Sequence, residues 1–277
     1  MEFFASYTGP DFLAFYAVML ITSIFAGIWI PANLRAEGRR SELREMEEVA
    51  VLAGGKNRHA AAVISDLIAR DALGAGAKNK LTIQRTEIET GSAGRSLLRK
   101  VADFDLREAR SSVEADSAAI EAGLIQRGLM MDSGESTALR FYSISPYVAL
   151  FLLGLYRQQA GSALGEPTGF LIMLLALTVV LAGFRFFRYS ARTKAGNEAL
   201  RELEVSASRL RRAPSAAEAG MSVAIFGTAA LVGTPWEPVH SMHRAAATGT
   251  GGDGGGGADG DGGGGGCGGG GCGGCGG

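Results

Sequence analysis

FLAFYAVMLITSIFAGIWI, residues 12–30, decides the fold. No Asp, Glu, Lys or Arg occurs from Phe12 to Leu34. At about 1.5 Å per residue, a helix over that stretch covers a hydrocarbon core of about 30 Å. Tyr16 and Trp29 suit its interfaces. A cleaved signal peptide wants a basic start and an A-x-A-like exit. Here Met1-Glu2 opens the chain and no basic residue precedes Arg35, so the segment reads as a membrane anchor.

Two further uncharged stretches lie downstream. One runs from Phe141 to Tyr156 and includes Pro146; the other runs from Pro167 to Phe184. Each alone is short for a span, and a buried helical hairpin in a soluble domain is the plainer reading. Against it, Val148–Leu155 and Leu171–Leu181 are apolar on every face of a helix. Mean hydropathy is +0.14 although 20% of residues are charged, so apolar and charged residues must be segregated along the chain.

Basic residues give the direction. Arg35, Arg39, Arg40 and Arg44 follow the first span, and Arg185, Arg188, Arg192 and Lys194 follow the third. The expectation is a multi-pass membrane protein with its N-terminus outside. The parts are an anchor (1–34), a cytoplasmic helical domain (35–140), a transmembrane hairpin (141–187), a cytoplasmic helical segment (188–248) and a disordered tail (249–277). Met221–Gly233 is apolar but too short to span comfortably. It is expected to pack on the middle domain or at the interface, with a fourth crossing as the alternative.

The middle region carries basic and acidic residues in equal number, a balanced soluble surface. Ser41, followed by Glu42 and Glu45, predicts a helix start, with the helix running to Ala53 and stopping at Gly54-Gly55. A second helix is predicted over His59–Leu73, and a short strand over Lys80–Gln84. Leu67-Ile68-x-Arg70 returns further along the chain as Leu124-Ile125-x-Arg127. Helix, this echo and a short strand together predict a winged-helix-like module. Binding DNA through such a module requires a basic face. Arg58, Asp66, Arg70 and Asp71 nearly cancel, so nucleic acid is not an expected partner.

YTGPDFLAFY (7–16), EVAVLAGGKNRHAAAVISDLIARDAL (48–73), the hydrophobic pair, SVAIFG (222–227) and the Gly/Cys tail occur in this order along the chain. These segments carry a resemblance to a family of bacterial membrane proteins known only by a domain of unknown function. It covers nearly the whole chain, and its most specific parts are Gly9-Pro10-x-Phe12-Leu13, Leu52-Ala53-Gly54-Gly55 and the tail. The resemblance implies a bacterial source and so residence in the bacterial inner membrane, and it brings no catalytic residues. The tail is also similar to short bacterial peptides that iron-dependent oxidases modify at cysteine.

Chemistry concentrates in that tail. All three cysteines lie there, and most of the positions from 251 to 277 are Gly. A disulfide framework for the body is thereby excluded. Cys267-x4-Cys272-x2-Cys275 matches three of the four cysteines of a plant-type iron–sulfur site, but the fourth is missing and glycine offers no shielding shell. Zinc wants four N/S ligands. His240 and His243 complete such a set, because the flexible linker from His243 to Cys267 reaches about 25–30 Å at roughly 5–6 Å × √n. The plainer reading is a disordered low-complexity tail with inert thiols; if the tail holds an ion, it is zinc or copper(I), with Cys267, Cys272, Cys275, His240 and His243 as ligands. The thiols read equally as substrates of a peptide-modifying enzyme.

The leading expectation is therefore a non-enzymatic membrane scaffold with the lipid bilayer and a protein as partners. The alternative is a membrane-anchored thiol redox enzyme, which needs an activated thiolate. No cation flanks the cysteines, and Asp253, Asp259 and Asp261 are acidic. Phosphate-loop, dinucleotide, H-E-x-x-H and G-x-S-x-G patterns are absent. His59 reads as a solvated or packing position, Glu47 and Glu48 as surface charges, and Arg185 and Arg188 as snorkelling anchors.

Overall fold

In the computed structural model the protein is mainly α-helical. The structure describes residues 9–43, 45–76, 80–100, 103–163, 169–187 and 189–248. The expected disordered tail, including all three cysteines, lies outside them.

Three helices are long and apolar enough to cross a membrane: α1 (Gly9–Leu34), α6 (Ser133–Ala163) and α7 (Gly169–Phe187). They pack into one bundle around Phe12, Tyr16, Leu20, Leu150, Leu171 and Leu175. Gly154 permits the close approach, since a Cβ there would lie 2.7 Å from Leu175 Cδ2 and 2.9 Å from Tyr16 Cε2. Exposure on the outside of the bundle decides against a buried hairpin. Only 17–28% of each apolar window is buried, and Phe25, Trp29, Phe170 and Val180 each stand at least 65% exposed. In water that surface would be an unpartnered hydrophobic patch; in lipid it is solvated.

The remaining elements are α2 (Met46–Ala69), β1 (Leu73–Ala75), β2 (Leu81–Ile83), α3 (Ser92–Leu98), α4 (Leu106–Ser112), α5 (Glu114–Gln126), α8 (Lys194–Ser206), α9 (Ala219–Phe226) and α10 (Glu237–Thr248). They form a domain at the end of the bundle where α1 and α7 finish and α6 starts. α2 is its centre, and it breaks at Gly54-Gly55, as the glycine pair predicts. Gly55 has φ 64°, which glycine adopts without strain. Beyond the break the chain folds back. A straight helix would hold Met46 and Asp66 about 30 Å apart. Instead both touch the position of a Cβ on Gly220, at 2.4 Å (Met46 Sδ) and 2.7 Å (Asp66 Cβ).

Residues 219–226 pack against this hairpin, with Ala219, Val223, Ala224 and Ile225 buried beside Val49, Ala50, Ala61 and Ala62. The short apolar segment is thus core of the domain. A second core joins the 60–67 arm to β1, α3 and α4 through Val63, Leu67, Leu73, Leu97 and Leu106.

Three local expectations need correction. The first helix is capped at Glu45, not Ser41, whose hydroxyl accepts from Arg127 Nε at 3.0 Å. The second arm ends at Ala69, and Leu73 opens a strand that pairs antiparallel with Leu81–Ile83. The cause is the repeated LI-x-R motif, a Schellman cap in both copies. Ala72 N bonds Leu67 O (2.8 Å) and Asp71 N bonds Ile68 O (3.1 Å); Leu129 N bonds Leu124 O and Gly128 N bonds Ile125 O, both at 2.9 Å. Asp71 and Gly128 supply the left-handed residue, at φ 57° and 76°. Arg185, thirdly, does not snorkel outward. It reaches inward, with Nε 3.1 Å from Ser143 Oγ and its terminal nitrogen 2.5 Å from Gly27 O.

Candidate functional site at the bundle–domain junction

Where bundle and domain meet, three segments next to the spans are stitched together by backbone hydrogen bonds. Arg39 N bonds Gly128 O (3.2 Å), Met131 N bonds Ala191 O (2.8 Å), Thr193 N bonds Leu129 O (3.1 Å), and Lys194 N and Ala195 N bond Ala36 O and Glu37 O (both 2.9 Å). Thr193 also caps α8, accepting from Gly196 N at 3.1 Å while its hydroxyl contacts the carbonyls of Gly128 and Leu129. The chain leaves α1, precedes α6 and follows α7 through one collar, which fixes the domain to the bundle.

Arginines gather on the collar. Arg35 and Arg140 both stack on the Tyr189 ring, their Cζ atoms 5.8 and 5.2 Å from its centroid, and Arg140 also lies over Phe186 at 5.9 Å. Arg35 donates to Arg192 O at 2.6 Å, and Arg192 donates to Ala53 O. Burial lowers the pKa of Arg35 and of Arg192, and neighbouring arginines add to both shifts. Among the described residues, no carboxylate reaches ion-pair distance of Arg35, Arg140, Arg185 or Arg192; their partners are neutral carbonyls, a hydroxyl and ring faces. Arg140 Nε is buried with no hydrogen-bond partner among the described residues.

A second polar cluster sits inside the domain. His59 is fully buried; its Nδ1 lies 2.6 Å from Ser117 Oγ, and its Nε2 lies 3.4 Å from Glu47 Oε2. That last contact is within ion-pair range but not aligned as a hydrogen bond. The fold-back at Gly54-Gly55 brings Glu47 and His59 together. The sequence reads Glu47 as a surface charge and His59 as a solvated or packing position; the available signal was the wholly apolar run Ala60–Ile64 directly after His59.

Serine, histidine and carboxylate suggest a hydrolytic triad, but the geometry opposes one. Ser117 is 4% exposed and its hydroxyl donates to Val113 O at 2.8 Å, so no substrate carbonyl can approach it. With that bond made, Nδ1–H donates to Ser117. Nε2 then faces the Glu47 carboxyl group across the hairpin. The cluster is a buried clamp across the α2 hairpin.

No protein-family model, curated protein or solved structure matches this chain. The site therefore stands on its own geometry.

The expected metal ligands divide. Cys267, Cys272 and Cys275 lie outside the described residues. His240 and His243 sit one turn apart on α10. His240 Nδ1 is 3.1 Å from Thr228 Oγ1, which leaves Nε2 as its remaining donor atom. His243 is held neutral, its pKa lowered to about 4 by burial first, then by Arg110 and His240. Neutral imidazole is the metal-binding form. Among the described residues no three His, Cys, Asp or Glu side chains converge to hold an ion.

Proposed function

We propose that this chain is a bacterial inner-membrane scaffold whose domain faces the cytoplasm and whose Gly-rich tail presents three thiols to a soft metal ion, zinc or copper(I), or to a peptide-modifying enzyme. One observation carries the reading. Every cysteine follows α10, the last described helix of a domain tied to the membrane-crossing bundle through the collar. A tether on a fixed base keeps its ligands at high local concentration near the membrane. Gathering of Arg35, Arg140, Arg185 and Arg192 at the domain end supports the cytoplasmic side for the domain and the outside for the N-terminus. In that compartment the thiols stay reduced. The hairpin after α2 supports a winged-helix-like, protein-binding use of the domain. The motifs shared with the bacterial membrane family support kinship with it.

Soft-metal binding is read on the full chain in detergent with its thiols reduced. Titration with zinc or copper(I) is expected to load one ion per chain, seen in the intact mass under native conditions. Cys267→Ser, Cys272→Ser and Cys275→Ser together abolish the uptake. A covalent mass increase on the tail of chain isolated from its source cells assigns the thiols as substrates instead. Absence of both uptake and modification contradicts the proposal.

A further inference from the structure

We propose that the collar arginines form a receptor for the phosphate of an anionic phospholipid. The inference rests on the reading that α1, α6 and α7 cross a bilayer.

Four half-buried guanidiniums share one end of a three-helix bundle. Like charges in a low-dielectric setting repel, and these four lack carboxylate partners within ion-pair reach among the described residues. The carboxylates that do act on the cluster are Glu135, felt at Tyr189, and Glu204, felt at Arg192. Most of the donor capacity is also unspent. Each guanidinium has five N–H groups, whereas one such bond is seen from Arg35, one from Arg192 and two from Arg185. Among the described residues Arg140 makes only ring contacts, and its Nε is buried without an acceptor. An anion with several acceptor oxygens satisfies both deficits, in charge and in hydrogen bonds.

Position selects the source of that phosphate. The cluster lies where the spans end, at the level of lipid headgroups. Leu34, Phe141 and Phe187 border it at 58%, 59% and 70% exposure, an apolar surface suited to acyl chains. A site for a free phosphate ion would have no use for that surface.

The test is native mass spectrometry of full-length chain recovered from washed membranes and released from detergent, with phosphatidylglycerol, phosphatidylcholine or inorganic phosphate added separately. Phosphatidylglycerol is expected to stay bound where phosphatidylcholine dissociates. Arg140→Gln weakens its retention about five-fold, the effect of one basic side chain near a charged surface. Arg40→Gln leaves it unchanged, since Arg40 is exposed and paired with Glu198. Equal retention of both lipids overturns the proposal and needs no variant, so a misfolded mutant cannot obscure it. Wild-type retention by Arg140→Gln also overturns it, as does displacement of the lipid by millimolar inorganic phosphate, which assigns a soluble ligand. Because the material has already remained with the membrane, each negative result counts against the arginine site and not against the spans.

Discussion

His59→Ala is expected to destabilise the domain by about 3–5 kcal/mol. Two effects add. The ring is fully buried among the α2 arms and α5, so its removal leaves a cavity. Glu47, whose side chain is 13% exposed, then loses the imidazole it faces. Burying an unpaired carboxylate costs several kcal/mol. Glu47→Gln in the His59→Ala background is expected to restore part of the loss, because the charge left without a partner is gone. Urea unfolding in mild detergent measures this, followed by the emission of Trp236, which packs on the α9 core. The chain has two tryptophans, so a Trp29→Phe background isolates that signal. A change below about 1 kcal/mol would show that the hairpin does not depend on the clamp.

Gly38→Val should open the collar. Gly38 has φ +73°, a conformation that a β-branched residue adopts only with strain. A Cβ there would lie 2.2 Å from Gly128 O and 2.4 Å from Thr193 Oγ1, and one of those atoms is backbone. Strain and overlap together cost about 3 kcal/mol or more. Hydrogen exchange at the amides of Arg39, Met131, Thr193, Lys194 and Ala195 is expected to accelerate about 100-fold or more. Gly123→Ala is the comparison. Gly123 lies within α5, its φ is not positive, and nothing lies within 4 Å of a Cβ there. The change should shift stability by no more than about 1 kcal/mol, toward the more stable side. Unchanged collar protection in Gly38→Val would mean that the junction is not a single cooperative unit.

The membrane helices are legible because lipid imposes a one-dimensional rule: a run long enough, without charge. The stretch after Asp11 satisfies it without reference to any other part of the chain. The break in α2 is legible for a similarly local reason, a glycine pair in a helical pattern. The LI-x-R echo is visible as a repeat, but its meaning lies in bonds that close a helix end, and Asp71 in the left-handed region gives no warning. Packing of residues 219–226 on the middle domain is one of two readings the pattern allows, because so short an apolar helix fits a core as well as an interface. His59, Glu47 and Ser117 were hidden for a tertiary reason. They stand far apart along the chain, and only the fold-back and the packing of α5 close those distances. For the arginines, sequence marked the flanks and their direction. Their convergence on Tyr189, and the inward reach of Arg185 to Gly27, depend on how the three helices pack.

Membrane crossing by α1, α6 and α7 is tested most directly by washing membranes from cells that express the full chain with alkaline carbonate, then centrifuging at high speed without detergent. Retention of the protein in the pellet is the result expected of helices whose apolar sides face acyl chains. Recovery in the supernatant would contradict it, and the cytoplasmic placement of the domain and its thiols would fall with it.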